Sequence, residues 1–172
     1  IILTPFTLAG AMAPVTIAGA LAQQNAEALA GIAFTQLVRP GAPVVYGGFT
    51  SNVDMKTGAP MGGTPEAAQM MYLMGALARK YRPPWRTSGF HVGSKLNDAQ
   101  AGYEKAYNHA LVGNAGANMI YESAGMHASL LGFCLESLLI DNDIIGATQR
   151  TIKGIDVSDE HLSIETIRKT CL

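Results

Sequence analysis

Four short stretches of this 172-residue chain gather polar and aromatic side chains able to do chemistry. Ser88-Gly89-Phe90-His91 runs on to Lys95. Glu122-Ser123-Ala124-Gly125-Met126-His127 offers a carboxylate and an imidazole a few residues apart. Tyr46-Gly47-Gly48-Phe49 leads into Thr50-Ser51-Asn52-Val53-Asp54, and Thr4-Pro5-Phe6-Thr7 follows the opening apolar run. Lys95 has three readings: a solvated side chain, a partner of Asp98, or a buried amine nucleophile. Glu122 closes an apolar run, where carboxylates are uncommon unless paired, so with His127 it suits binding a charged substrate or moving a proton. These residues spell out no catalytic triad. His91, His109, His127 and His161 lack metal-type spacing, so no metal site is expected. His109 reads as structural and His161 as solvated.

The elements that position these groups follow from pattern. Residues 1–4 read as a strand, then Val15 to Leu37 as a helix capped by Thr16 and stopped by Arg39-Pro40-Gly41. Residues 43–47 read as a second strand. Thr64-Pro65-Glu66 places a cap, a proline and an acid at the start of a second helix. Its Met70, Leu73, Met74 and Leu77 read as core. Pro83-Pro84 ends it, and Trp85 to Ser88 reads as a third strand. Asn97 and Gln100 fit a capping box opening a third helix, with Asp98 in its first turn and Tyr103, Ala106, Tyr107, Ala110 and Leu111 on one face. Residues 118–122 read as a fourth strand, and helices follow from Leu135 and over residues 159–171.

Strands alternating with helices imply a parallel α/β sheet. Two architectures fit: a doubly wound open sheet, or part of a (β/α)8 TIM barrel with about four consecutive βα units and an extra C-terminal helix. The missing Gly-x-Gly-x-x-Gly and Walker loop weaken the nucleotide-binding version. In either fold, sites lie at the C-terminal ends of the strands, where the four polar stretches fall. The expected organisation is one partial barrel domain over residues 1–172, truncated at both ends, since the chain opens without methionine on an apolar run and closes on a helical segment. A part-barrel exposes edges and apolar faces, which predicts a homo-oligomer.

Charge narrows the function. Only 15% of residues are charged and the net charge is −1, so no basic face marks a nucleic-acid or membrane partner. The most apolar stretch, residues 8–22, is short for a bilayer and interrupted by Pro14. Cys134 and Cys171 read as buried thiols rather than a disulfide, in keeping with a cytoplasmic protein.

Several stretches together resemble the trimethylamine methyltransferase family: LAGAMAPVTIAGALAQQNAEALAGI, RPGAPVVYGGFTSNVDMKTGAP, GTPE, NDAQAGYEKA and GANMIYESAGM. The similarity runs in one order over nearly the whole chain, as an internal or C-terminal-side fragment of a longer member. The resemblance implies a TIM barrel that moves a methyl group from a methylated amine to the Co(I) corrinoid (cobalamin) of a separate carrier protein, with no cofactor bound directly. Aromatic faces hold quaternary ammonium groups by cation–π attraction. Tyr46, Phe49, Phe90 and Tyr121 are therefore the substrate-binding candidates, with His91 beside them, and Glu122, His127 and Lys95 the catalytic ones. A substrate carboxylate would fall to His127, Lys95 or a loop amide. Trimethylamine-specific members carry pyrrolysine. This chain has an ordinary residue at every position, and the loop around Lys95 is the expected equivalent, so a quaternary amine such as glycine betaine is favoured over trimethylamine. Two alternatives stand beside this reading: an aldolase-type barrel forming a Schiff base on Lys95, and a methylated-amine-binding module without turnover.

Overall fold

A computed structural model describes residues 1–89 and 92–171. Four strands form a parallel sheet in the order β1 (Ile2–Leu3), β3 (Val45–Gly47), β5 (Trp85–Ser88), β6 (Met119–Tyr121). Their spatial order follows the chain with no reversal, whereas a doubly wound sheet reverses where its two halves meet. Helices α1 (Ile17–Val38), α2 (Pro65–Tyr81) and α3 (Ala99–Asn114) make the crossovers, and α4 (Leu135–Lys153) follows β6. Each of these helices packs on the next. Right-handed crossovers in one direction lay all the helices on one face of the sheet.

That face is the core. Leu3 packs on Gly31 of α1, and Trp85 packs against Gly75 of α2. Tyr46, Met70, Met74, Trp85 and Val112 are almost wholly enclosed there, with Ile120 packed against them. Residues at the alternate positions, Arg86 and Ser88 on β5 and Met119 and Tyr121 on β6, point to the opposite face.

The first two strands are longer than expected but broken. Past Thr4-Pro5 the chain resumes as β2 (Phe6–Ala9), and past Gly48 as β4 (Phe49–Asn52); β2 and β4 pair in parallel from Phe6↔Phe49 to Ala9↔Asn52. A Cβ at Gly48 would sit 2.6 Å from Met74 Sδ and 2.8 Å from Gln24 Nε2, so the break occurs where helices crowd the strand. A short hairpin, β7 (Met126–His127) and β8 (Gly132–Phe133), fills the connection between β6 and α4.

Thr16 and Thr64 cap α1 and α2 as expected, accepting from the amides of Gly19 and Ala67. The cap of α3 differs. Asp98, not Asn97, is the N-cap, its Oδ1 accepting from Ala101 N at 2.8 Å, while Gln100 bonds to Glu104 instead of closing a capping box. The expected last helix is two, α5 (Asp159–Leu162) and α6 (Ile164–Cys171), because Ser163 adopts a left-handed conformation with φ 52°. No helix among the described residues is long and apolar enough to cross a membrane.

Candidate functional site at the strand ends

The sheet face away from the helices carries a polar row. Arg86 on β5 sits between Gly47 on β3 and Met119 on β6 in register, and Thr4 follows β1. The Arg86 side chain crosses the β3 strand to donate from Nη1 to Thr4 Oγ1 at 2.7 Å. It can cross because position 47 has no side chain: a Cβ there would lie 2.7 Å from Thr4 Oγ1 and 2.8 Å from the Leu3 carbonyl. The same guanidinium stacks on the Tyr121 ring, 3.2 Å above its centroid. One side chain thus meets residues from both edges of the sheet. Four strands span about 14 Å when flat, so such a reach is easiest on a face that curls inward.

Immediately above, at the C-terminal strand ends, Ser88 Oγ donates to Glu122 Oε2 at 3.1 Å. Glu122 has a positive φ of 51°, a strained backbone for a non-glycine residue, and it follows Tyr121 directly. Burial pushes the Tyr121 hydroxyl up to about 12; the Glu122 charge adds to the rise and the Arg86 charge opposes it. At neutral pH Tyr121 is therefore a phenol offering a flat face. Arg86 on β5 and Glu122, the residue after β6, thus put opposite charges near neighbouring strand ends.

A second polar cluster lies behind this one, between α3, α4 and the β7–β8 hairpin. The Lys105 ammonium donates to Asp141 Oδ2 at 2.8 Å and to Ser137 Oγ, and all three residues are at most 2% exposed. Gly125 N also donates to Asp141 Oδ2, at 2.7 Å. His127 Nδ1 faces the Ser94 carbonyl at 3.3 Å, which fixes the proton on that nitrogen; its Nε2 lies 2.9 Å from Ser137 Oγ and 3.5 Å from Lys105 Nζ. Nearby, buried Glu104 accepts from Gly93 N at 2.8 Å. These contacts tie the loops after β5 and β6 to the helices beneath them. The pattern is a scaffold that holds the loop ends in place.

The expected site residues separate into these surroundings. Glu122 and Tyr121 stand on the open face. His127 belongs to the cluster behind it, 4% exposed. Lys95 is exposed on its loop, without the enclosure that a Schiff-base lysine needs. Tyr46 faces the helices instead: its hydroxyl donates to Gln24 Oε1 at 3.0 Å, and burial pushes it up to about 12. Phe49 is buried on β4 and stacks on half-exposed Phe6 at 4.6 Å. Phe90 and His91 lie outside the described residues. Among the described residues no group of three metal-ligating side chains occurs.

The family model described as trimethylamine methyltransferase (MTTB) matches residues 1–172. The chain belongs to the trimethylamine methyltransferase family. Relatives in this family include the trimethylamine methyltransferase MttB of Methanosarcina thermophila, 41% identical over 162 residues that cover 94% of this chain and 33% of the relative. The glycine betaine methyltransferase of Desulfitobacterium hafniense (strain Y51) is 34% identical over 169 residues, 98% of this chain and 35% of its own length. A trimethylamine methyltransferase MttB of D. hafniense (strain DSM 10664 / DCB-2) is 37% identical over 161 residues, 94% of this chain and 32% of the relative. The chain spans about a third of the length of the curated relatives it matches.

The residues that sequence reasoning passed over are Arg86 on the open face and Lys105, Ser137 and Asp141 behind it; Thr4 and Ser88 stood in the polar strand-end stretches but were given no role of their own. Arg86 did leave a signal: a charge between Trp85 and Thr87 in an inner strand of a parallel sheet, where both faces are ordinarily apolar. Lys105 and Asp141 left none, because two charges 36 positions apart show no pairing until the helices pack.

Proposed function

We propose that the whole protein is a methyltransferase that takes a methyl group from a methylated, quaternary amine, and that this chain supplies part of its (β/α)8 barrel and one wall of its substrate site. The observation that carries the reading is the clustering of Arg86, Ser88, Tyr121 and Glu122 at the C-terminal ends of adjacent parallel strands, on the face free of helices. The chain-ordered sheet and the reach of Arg86 from Thr4 to Tyr121 support the barrel.

The methyl acceptor in this reading is the Co(I) corrinoid of a separate carrier protein, which supplies a nucleophile strong enough to displace an amine. The protein has to hold the cation, aim one methyl outward and keep water away. Glu122, anchored by Ser88, supplies the negative charge that draws the ammonium to the strand ends. As the C–N bond breaks, its electron pair leaves with nitrogen and the positive charge there disappears. A carboxylate in close contact would favour the charged ground state and slow that step. Glu122 therefore belongs to capture of the substrate, and its loss should appear in KM more than in kcat.

Mixing the whole protein with cob(I)alamin and a panel of methylated amines tests this. Loss of the Co(I) absorbance with a quaternary amine is expected, with Glu122→Gln raising KM. No transfer from any methylated amine, under conditions where a D. hafniense relative is active, would remove the reading.

A further inference from the structure

The tip of the β7–β8 hairpin holds an unusual run of backbone. Ala128, Ser129 and Leu130 follow one another at φ 50°, 52° and 76°. This region crowds the Cβ of an L-residue, and residues other than glycine, asparagine and aspartate visit it rarely and singly. Three in a row persist only where the surroundings hold them. Here the holds come from other parts of the chain. Ala128 N donates to the Ser94 carbonyl at 2.9 Å, and Ser129 N to the Val92 carbonyl at 2.7 Å, both in the loop after β5. Ser129 Oγ accepts from Gly62 N at 2.9 Å, in the loop after β4. Leu130 packs on Leu8, Phe49 and Val53. These lie on the face away from the helices. Ala9, next to Leu8 on β2, belongs to the core with Ala20 and Leu21 of α1, and neighbouring strand residues point to opposite faces. Leu130 therefore reaches across the strand ends and seats on the open face, where β2 and β4 extend it. The root of the hairpin is fixed by contrast: Gly125 N is bound to Asp141 and His127 to Ser137, in the buried cluster.

We propose that residues 128–130 are a strap that closes over the helix-free face and lifts from its fixed root to pass ligand in and out of the strand ends. Strain favours lifting, because all three residues relax to ordinary conformations once released. Three hydrogen bonds and one apolar side chain favour seating, and water replaces those bonds when the strap lifts. The opposing contributions are of similar size, so the strap lies near balance while the sheet beneath it does not. A turn that only braced the loops would be served better by glycine, which takes a positive φ without the Cβ clash. Seating by Leu130 and release by strain give the segment two positions. That the gate admits a methylated amine rests on the methyltransferase reading above; the movement itself does not.

Hydrogen exchange of the whole protein, read by mass spectrometry, tests the movement. The amides of Gly62, Ala128 and Ser129 are each held by a strap contact, so lifting frees all three together, although Gly62 and Ser129 are 67 positions apart. They should show one common protection factor, at least about a hundredfold below that of Tyr46 N, which the Pro84 carbonyl holds in the sheet. Ala128→Gly relieves one strained position and should raise the common protection about fivefold. Leu130→Ala removes the seat and should lower it about tenfold. Stopped-flow binding of tetramethylammonium then tests the gate. Ala128→Gly should slow association and dissociation by the same factor, leaving Kd within about twofold, which a merely structural turn would not do. Separate protection of Gly62, or strap protection equal to that of Tyr46, overturns the proposal without any variant. Association rates indifferent to Ala128→Gly overturn the gate. Failure of the methyltransferase reading looks different: the amine binds at strap-controlled rates, but no methyl reaches cob(I)alamin.

Discussion

Replacing Lys105 with methionine removes one charge from a pair buried to 2% and 0% exposure, with little change in side-chain length. Asp141 would keep Gly125 N–H at 2.7 Å and the Ser137 hydroxyl at 3.3 Å, but its carboxylate would lose its only cation among the described residues. Breaking a buried pair from one side costs about 3–5 kcal/mol, because the remaining charge stays desolvated. With two donors still in place, Lys105→Met should fall near the lower end, about 3 kcal/mol. Removing both charges, as Lys105→Met with Asp141→Leu, leaves the Gly125 amide orphaned at about 1–3 kcal/mol, so the double variant should be no less stable than the single one. Urea unfolding of the whole protein, followed by hydrogen exchange at Gly125, measures both. A Lys105→Met loss below about 1 kcal/mol, or a double variant that loses the sum of two large single effects, would refute the view that this pair holds the hairpin to the helices.

Gly47→Ala puts a methyl within 2.7 Å of Thr4 Oγ1. It should cost about 1–3 kcal/mol in thermal unfolding and loosen Arg86. Burial holds His109 down to about 4, although its bond to the Gly89 carbonyl and the Asp141 charge pull the other way. A base with a depressed pKa contributes stability that is complete above its ordinary value of 6.5 and is lost as pH falls toward 4. His109→Asn keeps a donor for Gly89, and should flatten the stability–pH slope between those values; an unchanged slope counts against neutral burial. Thr64→Ala removes the cap that accepts from Ala67 N and should cost about 1 kcal/mol of stability, read by denaturant midpoint.

Local signals in the sequence were reliable where local chemistry decides the outcome. Thr64-Pro65-Glu66 opens a helix and Trp85 to Ser88 form a strand because capping, proline geometry and side-chain shape act over a few residues. The α3 face shows the limit. Tyr103, Ala106, Tyr107 and Ala110 share a side, yet they are exposed, and the buried side holds Glu104, Lys105, Asn108 and His109. Periodicity reads hydrophobicity alone; it cannot see that Gly93, Ser137, Asp141 and Gly89 arrive from elsewhere to satisfy Glu104, Lys105 and His109. The choice between Asn97 and Asp98 as cap turned on the same point, since Asn97 instead bonds to Cys134 across 37 positions. Thr50, Ser51 and Asn52 looked like loop because they are polar, but pairing with β2 makes them strand. The parallel order of the strands, which brings Ser88 and Glu122 together past their C-terminal ends, was legible from the alternation of strands and helices. The pairing of Arg86 with Tyr121 and Thr4 was not, because it depends on register across four strands.

A crystal structure of the whole protein with a bound quaternary amine tests the site assignment most directly. The amine should lie at the C-terminal ends of β5 and β6, on the helix-free face, with its nitrogen nearest Glu122. An amine bound elsewhere, with that face filled by the protein's own side chains, would contradict it.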